Sequence, residues 1–320
     1  MPQLTAKKYQ LTFIAGVTMK VDDINFKFFY INKWDNGEFK GDAISTTSEL
    51  VKISSDGNLG LQEGQKFERG GIYRFTVDVT KGNTKAVLTV EKVGKVDLPA
   101  PDIFFGNSKM EVTDTDIYKS DQVFTRGQMI TVTGIDNLNE WWIDPDFFEK
   151  QSDGTLKFLP INGDYRVTAN GILKYFSVIA LKDGKPAKLQ DDGTGAIWAI
   201  GKGIGKPSVT SSEVGWETGK ALCLAQVAPK KYQLTLKAGE TLKTSGDWEA
   251  ISFKFFYQND WGGEFSNYAS NTLVEQLKLT GSGNLEMQDN KAFEEGGVYR
   301  FTIDVTNGNA NAILKVEKIN

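Results

Sequence analysis

Two short stretches of the sequence place a tryptophan in a turn directly after an aromatic run. The first is FKFFYINKWDNGEF, which contains Trp34, and the second is FKFFYQNDWGGEF, which contains Trp261. An exposed indole offers a flat apolar surface to the C–H face of a sugar ring, and specific aromatic contacts add about 0.5–1.5 kcal/mol beyond burial alone. The alternative is that each indole folds back and caps the end of its own domain.

Short polar side chains flank both tryptophans and suit the hydroxyl groups of a sugar. They are Asn32, Asn36 and Glu38 in the first stretch, and Asn259 and Glu264 in the second. Amides donate and accept hydrogen bonds, and carboxylates accept them. The two stretches therefore predict two shallow sugar-binding sites, with capping as the open alternative.

Catalytic and metal-binding chemistry has few candidates in this composition. The chain has no histidine, which removes the commonest general base and the commonest transition-metal ligand. Cys223 is the only cysteine, and we interpret it as a small buried hydrophobe rather than a reactive thiol. The acidic clusters at Asp144 and Asp191 carry oxygen ligands that suit calcium, but turn chemistry explains them as well. We expect no cofactor, no metal site and no catalytic residue.

Three other tryptophans are interpreted as structural. Adjacent residues of a strand point to opposite faces, so one of Trp141 and Trp142 is predicted to lie in a core. The other is predicted to make an interdomain contact, with a ligand role as the less favoured alternative. Trp198, in the alternating run GAIWAIG, is predicted to lie in a core.

The overall composition is ordinary for a globular protein. The chain has 320 residues, of which 40% are hydrophobic and 24% charged, and this length suits two or three domains. The formal net charge of −4 comes without a basic run interleaved with aromatics, so no nucleic-acid partner is expected. The sequence contains no apolar stretch near the ~18 residues of a membrane span, and its start, MPQLTAKKYQ, does not have the pattern of an export signal.

The strongest pattern in the sequence is an internal duplication. KKYQLT occurs at 7–12 and again at 230–235, and GGIYRFTVDVTKGN returns near the end as GGVYRFTIDVTNGN. Apolar and polar residues alternate over 73–79, which is typical of a strand with one buried face, and 26–30 is also predicted to be a strand. The sequence shows no convincing helical periodicity, so we predict an all-β fold of tandem β-sandwich modules.

The segment between the copies differs from them. It follows the linker DLPAPD and contains strand-like runs such as MITVTGI, GDYRVTA and LKYFSVIAL, spaced as in a small immunoglobulin-like sandwich. We therefore predict a truncated repeat at 1–95, an immunoglobulin-like sandwich at 96–189 and a complete repeat at 190–320. The complete repeat has lead-in strands near 196–200 and 220–224. We expect the first copy to have lost these strands, and its sheet edge to be covered by a neighbour or by the middle domain.

The lead-in IWAIG and GW, then FKFFY, then an Asn-x-Trp-x-Gly turn resemble the SusE/SusF-like surface glycan-binding lipoproteins of Bacteroidetes. The resemblance covers 190–320 best, 7–93 partly and the middle segment least. It implies β-sandwich modules that bind starch or other polysaccharides without cleaving them, with sugars stacked on Trp34, Trp261 and the GW tryptophan, Trp216. The usual Asn-Tyr-Gly-Gly ending of this motif is replaced here, so no sugar specificity carries over.

The resemblance also implies a cell-surface location at the outer membrane, in a glycan-import complex. The partner is then a polysaccharide or oligosaccharide, and the membrane is reached only through a lipid anchor absent from this chain. The duplicated tryptophan turn favours binding over catalysis, because a second weak site adds avidity. The rival hypothesis is a structural or adhesive surface protein that binds protein partners through sandwich edges and loops. Exposed indoles beside polar neighbours favour the glycan, and buried ones favour the rival.

Overall fold

The fold is known from a computed structural model, which describes residues 3–5, 7–32, 37–98, 101–114, 116–135, 137–245 and 250–320. Almost all regular structure in these residues is β-strand, so the predicted all-β class is confirmed. The chain divides into two compact units, Met1–Pro99 and Ala100–Asn320. Unit 2 spans both the predicted immunoglobulin-like segment and the predicted complete repeat.

Unit 1 contains one five-stranded sheet and one hairpin among its described residues. Its strands are β1 Gln3–Thr5, β2 Lys8–Ile14, β3 Ile44–Thr46, β4 Val51–Ile53, β5 Leu59–Leu61, β6 Gly71–Asp78 and β7 Ala86–Lys95. The sheet has the order β1-β2-β6-β7-β3, and β4 pairs with β5. Tyr73, Phe75 and Val77 of β6 are buried and alternate with half-buried polar residues, as the sequence pattern predicts.

The first half of unit 2, here called the middle sandwich, contains strands β8 to β18. They are β8 Phe104–Phe105, β9 Ser108–Lys109, β10 Glu111–Asp114, β11 Ile117–Phe124, β12 Met129–Ile130, β13 Val132–Thr133, β14 Phe148–Lys150, β15 Leu156–Phe158, β16 Gly163–Asn170, β17 Tyr175–Lys182 and β18 Lys185–Pro186. The main sheet has the order β10-β11-β16-β17-β18, and two three-stranded sheets, β12-β15-β14 and β13-β8-β9, complete it. Its core is aromatic, with Phe105, Phe124, Phe158 and Phe176 fully buried.

The second half of unit 2, here called the C-terminal module, contains strands β19 to β29. They are β19 Trp198–Gly205, β20 Glu213–Gly215, β21 Leu222–Cys223, β22 Ala225–Ala228, β23 Lys231–Lys237, β24 Ser252–Phe256, β25 Ser270–Thr272, β26 Leu277–Leu279, β27 Leu285–Met287, β28 Val298–Asp304 and β29 Ile313–Lys318. One sheet has the order β20-β19-β24-β27-β26, with β21 also on β19, and the other β22-β23-β28-β29-β25. Unit 2 also contains the helix α1 Val209–Ser212 and the 3₁₀ turns Leu138–Glu140, Thr218–Lys220 and Asn309–Asn311.

The internal duplication predicted from the sequence is confirmed by one sheet of each copy. The order β1-β2-β6-β7-β3 in unit 1 matches β22-β23-β28-β29-β25 in the C-terminal module. The register matches as well, because Lys8 lies opposite Asp78 and Lys231 lies opposite Asp304. In both sheets the last strand runs parallel to its neighbour.

The two copies differ around the FKFFY segment. In the C-terminal module this segment forms β24, which lies between β19 and β27. The prediction of a regular strand at 26–30 was wrong, because the segment makes only isolated bridges among the described residues, from Phe26 to Leu59 and from Phe29 to Glu38. The described residues of unit 1 contain no counterpart of β19, and a segment with fewer strand neighbours forms a less regular ladder. What covers this edge stays a prediction.

A buried ion cluster joins the middle sandwich to the C-terminal module. Lys206, which directly follows β19, donates to the two carboxylate oxygens of Asp144 at 2.9 and 2.8 Å and to Asp146 at 3.1 Å. The side chains of Lys206, Asp144 and Asp146 are 2%, 4% and 1% exposed. Asp146 also accepts from the backbone N–H and the hydroxyl of Thr235 at 2.6 and 2.7 Å, and from Gln233 at 2.8 Å.

The two carboxylates of this cluster titrate differently. Burial raises the pKa of Asp146, but the charge of Lys206 and the hydrogen bonds from Thr235 and Gln233 outweigh burial and hold that pKa below its usual value. Burial dominates for Asp144 and raises its pKa, with only partial compensation from Lys206. Asp146 is therefore the firmly ionised partner of the buried ammonium.

We expect Asp146→Asn to destabilise unit 2 far more than Asp144→Asn. At position 146 the NH₂ group of the new asparagine would face only hydrogen-bond donors. In addition, removal of one charge from a buried ion pair costs about 3–5 kcal/mol of stability. At 144 the amide oxygen still accepts from Lys206, and a neutral Lys206–Asp146 pair remains, so the expected loss is about 1–2 kcal/mol. Urea unfolding monitored by circular dichroism measures both.

The matched control is Glu217→Gln, which breaks the exposed ion pair with Lys220 and is expected to change the free energy of unfolding by less than about 1 kcal/mol. Because the pKa of Asp146 is lowered on folding, its stabilisation is present above the unfolded pKa of about 3.9 and is lost only as the pH falls through the lower folded value. Equal losses for the two aspartate variants would contradict this description of the cluster.

Candidate functional site

The tryptophan turn of the C-terminal module is held by hydrogen bonds at its ends and inside it. Directly after β24, the backbone N–H of Tyr257 donates to the carbonyl of Gly263 at 2.7 Å. Inside the turn, the side-chain amide of Gln258 donates to the carbonyl of Trp261 at 2.6 Å, and the N–H of Trp261 donates to the carboxylate of Asp260 at 2.8 Å. The backbone that carries the indole is therefore fixed on both sides.

The side chain of Trp261 is held against a second indole and still faces solvent. It is 51% exposed, and its ring meets the fully buried Phe256 edge-on, with ring centroids 5.8 Å apart. Trp216, which directly follows β20, stacks with it at 6.2 Å between ring centroids and 28° between ring planes. Trp216 and Trp261, here called the indole pair, thus meet although they lie on different elements.

The polar residues predicted around Trp261 lie in the same turn. Glu264 is the antiparallel bridge partner of Phe256, so its side chain lies on the same side as the phenyl ring that supports Trp261. One carboxylate oxygen of Glu264 accepts from the N–H of Gly262 at 3.3 Å. Gly262 has φ 82°, a conformation that other residues rarely adopt. Asn259 is half-buried two residues before the indole.

A polar cavity of about 500 Å³ adjoins the tryptophan turn. Its lining includes Tyr257, Glu264, Asn267, Asn309 and Asp191. Glu264 therefore belongs both to the turn and to the cavity wall. The sequence reasoning missed Asn267 and Asn309, although the repeated Gly-Asn that ends each GGxYRFT segment was a visible signal for the second of these.

The candidate site of the first copy is described only in part. Trp34 and Asn36 lie outside the described residues, so their roles stay predictions. Asn32 is exposed and Glu38 is half-buried. The structure therefore places two of the four predicted residues of this site.

Glu38 repeats the placement of its counterpart in the C-terminal module. It lies opposite Phe29 in an antiparallel bridge, as Glu264 lies opposite Phe256. The hydrogen bond from its own backbone N–H lowers the pKa of Glu38, burial opposes this, and the charges of Lys27 and Lys40 lower the pKa further. The carboxylate is therefore an ionised hydrogen-bond acceptor at neutral pH.

A larger cavity lies elsewhere in unit 2. It measures about 620 Å³, and its lining includes Asp144, Lys206, Thr168, Ser177 and Thr210. Its buried charges already bind each other, since Lys206 donates to Asp144 at 2.8 Å. It also contains no tryptophan in its lining, so we place the candidate site at the indole pair, although this cavity is larger.

The three tryptophans interpreted as structural from the sequence are placed as predicted. Trp141 is 9% exposed and stacks on Phe176 at 4.6 Å between ring centroids. Its neighbour Trp142 donates from the indole nitrogen to Glu240 of the C-terminal module at 2.6 Å. Trp198 is 1% exposed. Trp141 and Trp198 are therefore core residues, and Trp142 makes the predicted contact between modules.

The lone thiol and the acidic turns have structural explanations. Cys223 is buried, and burial raises its pKa to about 12, which confirms its interpretation as a buried hydrophobe. Asp192 accepts from the N–H and hydroxyl of Thr194 at 2.9 and 2.6 Å, a turn interaction. Across the described parts of the chain, no cluster of three or more His, Cys, Asp or Glu is placed to hold a metal ion. Nor does any helix there have the length and apolar character of a membrane span.

Comparison with known proteins returns two family models and no match among curated proteins. The model described as "Domain of unknown function (DUF5125)" matches residues 63–189, which include most of the middle sandwich. The model described as "Domain of unknown function (DUF5121)" matches residues 1–80 and 192–306, which fall on the two copies of the repeat and together make up more than half of the chain. The chain therefore belongs to the DUF5121 family, and its middle part matches the DUF5125 model, which overlaps the first DUF5121 segment over residues 63–80.

Proposed function

We propose that this protein binds glycans without cleaving them, and that the indole pair of the C-terminal module holds the sugar rings. The observation that carries the proposal is the state of Trp261, which is 51% exposed although its backbone and one side of its ring are fixed. An indole that served only as a cap would be buried. A preordered, exposed indole binds a ring at little cost in side-chain entropy.

The residues around the indole pair carry groups that can form hydrogen bonds with the hydroxyls of a sugar. Glu264 and Asn259 lie in the same turn as Trp261, and Asn267 and Asp191 line the cavity next to it. A sugar ring stacked on the indoles would place its hydroxyls beside these oxygen and amide groups. The next ring of an oligosaccharide would then reach the cavity of about 500 Å³.

The first copy is proposed as a second site, formed by Trp34, Asn32, Asn36 and Glu38. Its turn has one residue more after the tryptophan than the turn of the C-terminal module, so the two sites are expected to bind a sugar unequally. Two unequal sites on one chain suit a long polysaccharide, because the second binding event becomes intramolecular.

The same motifs support a cellular role for the protein. The GW and FKFFY segments in tandem β domains resemble SusE/SusF-like proteins, so we propose that the chain acts at the cell surface, at the outer membrane, beside a glycan-import complex. The alternative is an adhesive surface protein that binds protein partners. The half-exposed side chain of Trp261, which stacks with Trp216, favours the glycan over this alternative.

Trp261→Ala and Trp216→Ala are expected to abolish or strongly weaken binding to the polysaccharide that a screen of soluble glycans identifies. The expected cost in unfolding free energy for Trp261→Ala is about 1–2 kcal/mol, because the ring is half exposed and mainly loses its aromatic contacts. The matched core variant Trp198→Ala should cost about 3–5 kcal/mol. Affinity electrophoresis and thermal melting measure the two effects.

Phe104→Ala is the binding control, since Phe104 is exposed on the middle sandwich. This substitution is expected to leave the glycan affinity unchanged. Full binding by Trp261→Ala would remove the proposed role of the indole pair. A large loss of stability in the same variant would instead show that Trp261 caps the module.

Glycan length should separate a two-site mechanism from a single site. The double variant Trp34→Ala/Trp261→Ala is expected to lose far more apparent affinity for a long polysaccharide than for a short oligosaccharide, because only the long chain can occupy both sites. Isothermal titration with ligands of graded length gives both affinities. Equal losses for long and short ligands would leave stacking in place and exclude the multivalent mechanism.

The protein is expected to release no product from a glycan that it binds. Prolonged incubation followed by chromatography of reducing ends should give the same profile as the glycan alone. Glu264→Gln is the matched variant, because it removes a carboxylate of the tryptophan turn that also lines the adjoining cavity. If the wild type released product from the glycan, and if this or another single carboxylate substitution abolished that release, the protein would be a glycosidase.

A further inference from the structure

The buried ion cluster of unit 2 places a lysine nitrogen against the carboxyl group of an aspartate. Nζ of Lys206 lies 2.9 and 2.8 Å from the two carboxylate oxygens of Asp144. The carboxyl carbon Cγ lies between these oxygens and therefore falls within about 3–3.5 Å of the nitrogen, the distance of a near-attack arrangement. An amine and a carboxyl group held in this way can condense to an amide where water is kept out.

The contact between Lys206 and Asp144 is almost completely shielded from water. Both side chains are buried, and Nζ of Lys206 lies over the indole of Trp142, 5.9 Å from the ring centroid. Tyr175 is buried close by, since burial raises the pKa of its phenol and the charge of Asp144 raises that pKa further. The cluster is therefore enclosed by aromatic side chains.

This environment acts on the charge of both partners. Burial raises the pKa of Asp144, which favours the carboxylic acid. Burial lowers the pKa of Lys206, but the charges of the two aspartates outweigh it and raise that pKa. Transfer of one proton from Lys206 to Asp144 gives a neutral amine beside a carboxylic acid and removes both of these buried charges, which are the forms that desolvation disfavours.

Asp146 is held for a different role from that of Asp144. It accepts hydrogen bonds from Thr235 and Gln233 and one from Lys206 at 3.1 Å. These bonds stabilise its ionised form, and a carboxylate is a poor electrophile but a proton acceptor. Asp144 is therefore the electrophile of the cluster, and Asp146 is the group that can carry a proton.

We propose that Lys206 and Asp144 condense to an isopeptide bond, which joins Nζ of the lysine to Cγ of the aspartate and releases one molecule of water. The bond connects the end of β19 in the C-terminal module to the middle sandwich. The reaction needs no cofactor and no second reactant, because the amine, the carboxyl group and the proton carrier all belong to the cluster.

The atoms of the reaction balance within these three side chains. The ammonium of Lys206 gives one proton to Asp144, whose carboxyl group rotates so that its face meets the nitrogen. The amine then attacks Cγ and gives a second proton to Asp146 as the C–N bond forms. Asp146 returns this proton to the hydroxyl group of the intermediate as the C–O bond breaks. Water leaves, the third proton stays on the amide nitrogen, and Asp146 is a carboxylate again.

The surroundings of the cluster assist this reaction. The backbone N–H of Asp146 donates to Oδ1 of Asp144 at 3.1 Å, so it can stabilise the negative oxygen of the intermediate. Lys206 and Asp144 also line the cavity of about 620 Å³, into which the released water can move. Fixed proximity of the two reacting groups corresponds to an effective concentration of about 10⁵–10⁸ M in favourable cases.

The test is mass spectrometry of the whole 320-residue chain after denaturation. The wild type is expected to be lighter than its sequence by one molecule of water. Trypsin cleaves after lysine and arginine but not before proline, so it is expected to release residues 127–150 joined to residues 203–220. Fragmentation of this linked product should locate the bond between Lys206 and Asp144.

Three variants separate the roles of the cluster residues. Lys206→Arg and Asp144→Ala each remove one partner and are expected to have the full mass of their sequences. Asp146→Asn keeps both partners but lacks the proton carrier, so its bond is expected to form about 10²–10⁴-fold more slowly. The bond also closes a loop between residues sixty-two positions apart, so the denatured wild type should migrate faster in a gel than Lys206→Arg.

The matched control lies in the same chain and needs no substitution. Lys231 and Asp304 also form a lysine–aspartate pair, with 3.2 Å between nitrogen and oxygen, but both side chains reach solvent. Water hydrates both ions there, so the tryptic peptides of this pair are expected to remain separate. The wild-type masses decide the proposal even where a variant does not fold, and they do not depend on the proposed glycan site.

Three results would overturn the proposal or part of it. A wild type with the full mass of its sequence would show that Lys206 and Asp144 form only an ion pair. A bond to Asp146 instead of Asp144 would overturn the assigned electrophile. Complete bond formation in Asp146→Asn at the rate of the wild type would remove the role of Asp146 as proton carrier.

Discussion

The arrangement of unit 2 depends on one buried ion cluster, formed by Lys206, Asp144 and Asp146. A charge removed from water is costly unless an opposite charge and hydrogen bonds replace the lost solvent. Here the ammonium comes from the C-terminal module and both carboxylates come from the middle sandwich. Neither half of unit 2 can separate from the other without leaving a buried charge unpaired, so the two halves are held in a defined relation.

Strand β19 connects this ion cluster to the two strands that precede the indole pair. Lys206 directly follows β19, whose neighbours in the sheet are β20 and β24. Trp216 directly follows β20, and the turn that carries Trp261 follows β24. Because both neighbours take their register from β19, the two indoles meet at 6.2 Å only while this strand is in place. Unit 1 has no such strand among its described residues, and its FKFFY segment is correspondingly irregular.

The sequence predicts the structure of this protein best where a sequence pattern is local and occurs in both copies of the repeat. Alternation over 73–79 and its copy predicts β6 and β28, and the repeat itself predicts that the two sheets share one order. The prediction of a regular strand at 26–30 failed for a physical reason. A strand needs neighbouring strands to pair with, and the partners of this segment lie far away in the chain, where a local pattern does not show them. Trp261 and Glu264 were predicted as site residues from residue type and spacing, and the structure places both in one turn. The pairing of Lys206 with Asp144 was not predicted, since no local pattern links residues sixty-two positions apart.

The burial of Cys223 has a practical consequence for work on this protein. It is the only thiol in the chain, and a pKa of about 12 keeps it protonated at neutral pH. Thiol reagents attack the thiolate, so the folded protein gives them almost nothing to modify. A single cysteine introduced on the surface would therefore accept a maleimide dye or a spin label selectively, with the native residue left in place. Pairs of such labels, one in each unit, would report distances within the full chain.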